Sequence, residues 1–141
     1  MYFISKETRN SIVSSSIKLA KVMIPIKDEC KLSDAVYKIH NVIPFIILLL
    51  FIIITNKIWQ LTIIILFILF FISNIILNGC LVSMVELKLC ENSRIPIDSY
   101  LDLFSIPPTS YNRKLGTKII FILLISFMCC YFYFIHYYNR Y

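Results

Sequence analysis

The fold is decided by residues 42–77, VIPFIILLLFIIITNKIWQLTIIILFILFFISNIIL, in which Lys57 is the only charged residue. At about 1.5 Å per residue, one helix of this length would be about 54 Å long, whereas a hydrocarbon core is about 30 Å thick. A single span would also bury Lys57 near the bilayer centre, at a cost of about 2.5–3.5 kcal/mol. We therefore predict two membrane helices joined by a tight turn at Asn56 and Lys57, with Trp59 as an interfacial anchor.

The first of these helices extends beyond its apolar core. Residues 42–55 would cover only about 21 Å as a helix, which is too short to cross a bilayer. We therefore predict a longer helix that begins with Ser33 as its cap and holds Pro44 inside, where the missing N–H kinks the backbone. The alternative is a fresh start at Asn41, with Pro44 in the first turn.

The second helix carries two amide side chains near its end. It runs from about residue 58 to 77 and ends at Asn78 and Gly79, because glycine is favoured just past a helix end. Asn74 and Asn78 lie four residues apart on one face, and amides in a membrane helix usually bond to a neighbouring helix. An ion or substrate path is the alternative. Together, residues 33–78 form a predicted transmembrane hairpin.

A short interfacial region, residues 79–118, follows the hairpin. Ser83 precedes Glu86 by three residues, which is the spacing of a capping box: the Ser oxygen accepts a backbone N–H and the Glu reaches back to the cap. We predict these two side chains as structural caps of a short helix. Pro96 begins a second short helix, and the proline pair at 107–108 stops it.

The two ends of the chain complete the architecture. Residues 1–32 are basic and carry one apolar helical stripe, as in a helix that lies at a membrane interface; packing on the rest of the chain or on a partner is the alternative. Pro25 ends this helix. The stripe consists of Val13, Ile17, Ala20 and Ile24.

The C-terminal end supplies a further membrane helix. Residues 119–141 begin with an uncharged run and finish in an aromatic belt, which predicts a third span.

Composition and charge agree with an all-α, polytopic membrane protein with three transmembrane helices. The chain is 59% hydrophobic and 16% charged, against about 45–50% and about 25% in soluble domains. In this topology Lys57 and Arg140 lie on one side, and the other 12 basic residues lie on the side of the N-terminus. The positive-inside rule then makes the N-terminus cytoplasmic, or places it on the equivalent side of an organelle or virion. Virion, endoplasmic reticulum and mitochondrial membranes all fit.

The side of the membrane that carries the 12 basic residues, the basic face, also indicates which partners the protein has. It suits anionic lipid headgroups in the adjoining bilayer, because clustered Lys and Arg are attracted to a negative surface potential. Nucleic acid is disfavoured as a partner because no recognition motif accompanies the charge. We therefore expect the lipid bilayer, its anionic headgroups and a protein within the membrane as partners.

Few residues are of the types that carry chemistry. Cys80 and Cys90 are ten apart without a second pair, so zinc-ribbon spacing is absent. Both cysteines lie on the side of the membrane that is predicted to be reducing, which argues against a disulfide framework. S-palmitoylation of either one is an alternative. His40 and His136 fall on opposite sides of the membrane and cannot form one site. With two glycines in the chain, phosphate loops and nucleophile elbows are excluded, and we predict no cofactor, metal or catalytic site.

Cys80, Ser83 and Glu86, which follow two predicted membrane helices, form the pattern Cys-x-x-Ser-x-x-Glu. This resembles a motif of small multi-pass membrane proteins of unknown function, whose bacterial form reads Cys-Pro-Leu-Thr-x-x-Glu, with looser forms in large DNA viruses. Leu81 stands where the bacterial form has Pro. The resemblance covers residues 35–90 and implies a helical membrane protein without a known activity, so it transfers no catalytic residue.

These observations favour a structural, assembly or accessory-subunit role, as a viral membrane protein or as a subunit of a membrane complex. One alternative is a channel or viroporin-like oligomer with Asn74 and Asn78 lining the pore. Another is a membrane enzyme of lipid metabolism. This last class is disfavoured because such enzymes need paired acids, histidine clusters or a nucleophile, and no such convergence is visible in the sequence. We therefore expect no enzymatic activity.

Overall fold

The computed structural model describes residues 4–91 and 94–138, and this part of the chain forms six helices and no strand. Three of the helices are long and apolar enough to cross a membrane, namely α2, α3 and α6 as defined below. The predicted all-α class and the three long apolar helices are therefore confirmed. Arg140, which the predicted orientation counts, lies outside the described residues. The helices are α1 (Lys6–Met23), α2 (Glu29–Ile53), α3 (Lys57–Leu77), α4 (Leu81–Leu89), α5 (Pro96–Leu103) and α6 (Ser110–His136).

Helix α2 begins earlier than predicted. Asp28 is its N-cap, and the Asp28 carboxylate accepts hydrogen bonds from the N–H groups of Cys30 and Lys31 at 3.0 and 3.1 Å. The prediction that Ser33 caps this helix is wrong, because Asp28 is an equally strong cap and stands five residues before it. Pro44 lies inside the continuous helix, as predicted, so the alternative start at Asn41 is excluded.

The turn between α2 and α3 lies directly before Lys57, as the cost of burying this charged residue predicted. Asn56 caps α3 by accepting a hydrogen bond from the N–H of Ile58 at 2.9 Å. At the other end of α3, Asn78 adopts the left-handed conformation and Gly79 has a φ of +150°. The N–H of Gly79 donates to the carbonyl of Asn74 at 2.9 Å. The predicted helix end at Asn78 and Gly79 is confirmed, and glycine fits Gly79 because a Cβ disfavours that φ.

The three long helices pack around a small apolar cluster. Phe51 of α2, Ile64 and Phe67 of α3, and Met128 of α6 are buried against one another. Phe51 and Met128 have no exposed surface. The outward faces of the same helices carry many exposed Ile, Leu and Phe side chains.

A second layer covers one end of this bundle. Val13 of α1, Leu32 of α2, and Val85 and Leu89 of α4 form its buried cluster. Helix α1 therefore packs on its own chain through the predicted apolar stripe, and it ends at Met23 as Pro25 predicted. Of the arrangements considered for the N-terminal helix, the structure has the one in which the helix packs on the rest of the chain.

Helix α5 is held on α6 by close packing and by an ion pair. A Cβ on Gly116 would lie 3.0 Å from Cδ1 of Ile97, so the glycine lets the two helices approach closely. The Arg113 guanidinium donates to both carboxylate oxygens of Asp98, at 2.7 and 2.8 Å. The Asp98 carboxylate also accepts from the N–H of Ile95 at the start of α5. Asp98 is buried, and its role is absent from the sequence predictions.

We expect Asp98→Asn to lower the free energy of unfolding by about 1.5–3 kcal/mol, because hydrogen bonds to charged groups typically contribute that much. The matched control is Asp102→Asn, whose carboxylate is half exposed and lies 3.8 Å from Arg94. That change should stay within about 0.5 kcal/mol, as exposed pairs contribute little. Thermal unfolding in detergent, followed by circular dichroism, measures both, and equal midpoints for the two variants would contradict the assignment.

Candidate active site where α2 meets α4

Helices α2 and α4 run antiparallel, and four contacts join them in register. Cys30 pairs with Cys90, Ser33 with Glu86, and His40 with both Glu86 and Cys80. Residue numbers that rise along α2 thus meet numbers that fall along α4. This register brings together side chains that are 40 to 60 positions apart in the sequence.

Cys80, His40 and Glu86 form a continuous line of polar contacts. The Cys80 Sγ lies 3.5 Å from Nε2 of His40, and Nδ1 of the same ring lies 2.8 Å from Oε1 of Glu86. An ionised carboxylate only accepts hydrogen bonds, so the Nδ1–H group of His40 donates a hydrogen bond to Oε1 of Glu86. Nε2 faces the thiol, so the ring can take the thiol proton and, once charged, stabilise the thiolate that is left. This is the arrangement of a nucleophile, a base and an orienting acid.

The electrostatics of α4 favour a reactive thiol. Burial raises the pKa of Cys80, but the hydrogen bond and charge of His40, together with contacts to Ser83, outweigh burial and leave that pKa below its ordinary value. Burial also raises the pKa of Glu86, against the opposing effect of His40. Because thiolate is the nucleophilic form of cysteine, a lowered pKa makes Cys80 more reactive near neutral pH.

The start of α4 supplies hydrogen-bond donors beside the thiol. Cys80 is the N-cap residue of α4, and no capping side chain occupies this end among the residues that the structure describes. The first N–H groups of a helix have no partner within the helix. One of them, the N–H of Ser83, contacts the Cys80 thiol and helps to lower its pKa.

An apolar cavity of about 370 Å³ adjoins this line of contacts. His40, Cys80 and Ser83 lie on its wall at the end nearest α4. The rest of the wall comes mainly from α2 and α6, with one residue of α3 and three of α5. The apolar and aromatic residues of that wall are Pro44, Phe45, Leu48, Phe67, Pro96, Ile97, Tyr100, Ile120, Phe121, Leu123 and Leu124.

The prediction that Ser83 and Glu86 form a capping box is wrong. Helix α4 begins at Leu81, so Ser83 is its third residue and lies inside the helix. Glu86 has no exposed surface, and its Oε1 bonds to His40. The spacing is that of a capping box, but a tertiary partner from α2 takes the carboxylate instead. The other oxygen, Oε2, is buried without a protein partner among the described residues.

The expected absence of a disulfide is also wrong, since Cys30 and Cys90 are bonded to each other. This bond joins the start of α2 to the end of α4, and it excludes S-palmitoylation of Cys90 in the bonded form. Cys80 is a free thiol. Disulfides persist mainly in oxidising compartments, which is why a reducing side, as predicted from charge, led to the opposite expectation.

The remaining predicted residues lie away from this line of contacts or have other roles. Asn74 is buried, and neither atom of its amide has a partner in the described chain, so the predicted hydrogen bond to a neighbouring helix is not formed. Asn78 serves as the left-handed cap of α3. His136 bonds instead to Oε1 of Gln60 at 2.6 Å. The two histidines thus belong to different clusters, as predicted.

Sequence reasoning missed the convergence of His40 with Cys80 and Glu86. The three side chains are not a set that could hold a metal ion. Comparisons of the chain with protein-family models, with curated proteins and with solved structures find no match.

We expect loss of the Cys30–Cys90 bond to lower the free energy of unfolding by about 4 kcal/mol, because it closes a loop of 60 residues and the chain-entropy estimate scales with loop length. The measurement compares Cys30→Ser/Cys90→Ser with the control Cys129→Ser/Cys130→Ser, whose thiols are free and exposed. Only the Cys30→Ser/Cys90→Ser variant should have a lower denaturation midpoint than the unchanged protein. Alkylation of all five cysteines in denatured, unreduced protein would contradict the bond.

Proposed function

We propose that the chain is an integral membrane enzyme that transfers an acyl group through a thioester on Cys80. The observation that carries this proposal is the continuous contact from the Cys80 thiol through the His40 ring to buried Glu86, at the wall of an apolar cavity. In this assignment Cys80 is the nucleophile, His40 is the general base and acid, and Glu86 orients the His40 ring.

The membrane part of the proposal is supported by α2, α3 and α6. They contain 25, 21 and 27 residues, and about 20 apolar residues suffice to cross a bilayer. Their outward Ile, Leu and Phe side chains are exposed in the isolated chain, and a bilayer would cover such a surface. The layer of α1, α4 and α5 would then lie at one membrane surface, with Cys80 at the boundary between the two.

The reaction has two balanced halves. Sγ of Cys80 attacks the carbonyl carbon of an acyl ester or thioester, and a carbon–sulfur bond forms as the bond to the leaving oxygen or sulfur breaks. His40 takes the thiol proton and gives it to that leaving group. Water or an acceptor hydroxyl then attacks the thioester, His40 removes its proton, and the same proton returns to Cys80. In this proposal, N–H groups at the start of α4 that have no partner within the helix stabilise the oxyanion in both halves.

A structural, assembly or accessory role is the alternative proposal, and one observation favours it. The Ser33 hydroxyl donates to the carbonyl of Glu86 at 2.9 Å in the same buried region, and the disulfide braces α4 at its far end. Bracing alone, however, gives no reason for a thiol at the cavity wall. The acyl-transfer proposal accounts for the thiol, the ring and the cavity together.

Intact-mass spectrometry of detergent-purified protein, incubated with a water-soluble octanoyl thioester, tests the reaction. We expect a hydroxylamine-sensitive adduct on Cys80 that is absent in Cys80→Ala and retained in the control Cys129→Ala. His40→Ala should slow its formation by about 100-fold or more, the usual contribution of a general base.

Two outcomes of this experiment would count against acyl transfer. Folded wild-type protein that forms no adduct would favour the structural role, and so would an adduct that forms equally fast in His40→Ala. Glu86→Gln separates an orienting role from a merely structural one. It should slow acylation while the unfolding midpoint moves little, because Gln keeps one acceptor oxygen for the His40 ring.

A further inference from the structure

The cavity beside Cys80 is elongated along the long helices. On α2 its wall extends from His40 to Leu48, and on α6 it extends from Thr117 to Leu124. At about 1.5 Å per residue, these are stretches of about 12 and 10 Å. The polar groups gather at the end where His40 and Cys80 lie, and the wall beyond them is apolar. A ligand that fits this shape has a polar reacting end and an apolar chain.

The cavity also opens sideways between α2 and α6. Phe45 on α2 and Leu123 on α6 both line it, and they are 57% and 63% exposed. Wall residues that are so exposed cannot seal the gap between the two helices. If these helices cross a membrane, the opening faces lipid tails rather than water. Such an opening admits a chain that arrives from within the bilayer.

Positive charge lies near the polar end of the cavity. Lys114 and Lys118 stand three residues before Thr117 and Phe121 of the cavity wall, and therefore lie on the same side of α6 as that wall. Neither lysine forms an ion pair within the part of the chain that the structure describes. Neighbouring Arg113, by contrast, is paired with Asp98 through two hydrogen bonds. The two lysines are therefore free to bind an anionic group.

We propose that the cavity binds one acyl chain of an anionic glycerophospholipid, which reaches it sideways from the bilayer between α2 and α6. The ester carbonyl lies at Cys80, and the phosphate group lies near Lys114 and Lys118. This inference rests on the proposed acyl transfer and names its donor. The carbon–sulfur bond forms on Cys80 as the ester bond to glycerol breaks, and the glycerol oxygen takes the proton from His40.

The test uses the full chain in lipid nanodiscs of phosphatidylglycerol or of phosphatidylcholine with identical acyl chains. Intact mass should show at least about 10-fold more acyl-Cys80 with phosphatidylglycerol, a difference of about 1.4 kcal/mol. Lys114→Ala/Lys118→Ala should remove this preference. The control Lys18→Ala, an exposed lysine on α1, should keep it.

A second pair of variants tests the cavity itself. Leu124→Trp fills the apolar wall, and we expect at least about 10-fold less acylation by lipid. Acetylation of Cys80 by a soluble acetyl thioester, which needs no cavity, should persist in the same variant and so report an intact site. The control Leu66→Trp places the same bulk on an exposed position of α3, away from the cavity, and should change neither reaction.

The outcomes separate this inference from the proposal beneath it. Acetylation of Cys80 without acylation from either lipid would overturn the lipid donor and leave acyl transfer standing. Equal acylation from both lipids would overturn the anionic headgroup. Failure of the acetyl thioester as well as of both lipids would overturn the acyl-transfer proposal, and the lipid donor with it.

Discussion

The buried carboxylate of Glu86 is the constraint on which the arrangement of the other groups depends. Its side chain has no exposed surface, and an unpartnered buried charge costs several kcal/mol. The bond from the His40 ring supplies the partner, and the Ser33 hydroxyl bonds to the Glu86 carbonyl beside it. These two contacts set α4 against α2 in one register. In that register the opposite nitrogen of His40 faces the Cys80 thiol.

The layer around this contact is fixed at several further points. The Cys30–Cys90 bond holds the far end of α4 to the start of α2. The Asp98–Arg113 pair holds α5 on α6, where Gly116 allows Ile97 to approach closely. Pro96 and Ile97 of α5, in turn, form part of the cavity wall. Contacts on both sides thus preorganise a cavity that is open between α2 and α6, which is what a rigid site with a sideways opening requires.

Much of the fold could be predicted from local physical rules. The cost of burying Lys57 predicted the turn, the length of a bilayer predicted that α2 continues through Pro44, and Gly79 predicted the end of α3. Each of these rules depends on residues that are neighbours in the sequence. The start of α2 was placed five residues too late, because two good caps, Asp28 and Ser33, stand close together and propensity does not choose between them.

The site could not be predicted in the same way. His40 lies 40 residues from Cys80 and 46 from Glu86, and no spacing rule joins residues across two separate helices. The local spacing of Ser83 and Glu86 even suggested a different role, because it matches a capping box. Cys30 and Cys90 were not paired for the same reason: their meeting depends on the antiparallel register of α2 and α4. Only the packed helices reveal these contacts.

The most direct test of the central claim, that His40 activates Cys80, is the rate of Cys80 alkylation as a function of pH. A Cys129→Ser/Cys130→Ser background leaves Cys80 as the only free thiol. A lowered pKa keeps thiolate present at lower pH, so the account predicts a midpoint below the ordinary thiol value of about 8.5. His40→Ala should move the midpoint upward, because only the contacts to Ser83 then oppose the effect of burial. A wild-type midpoint at or above the ordinary value, or one that His40→Ala leaves unchanged, would contradict the account.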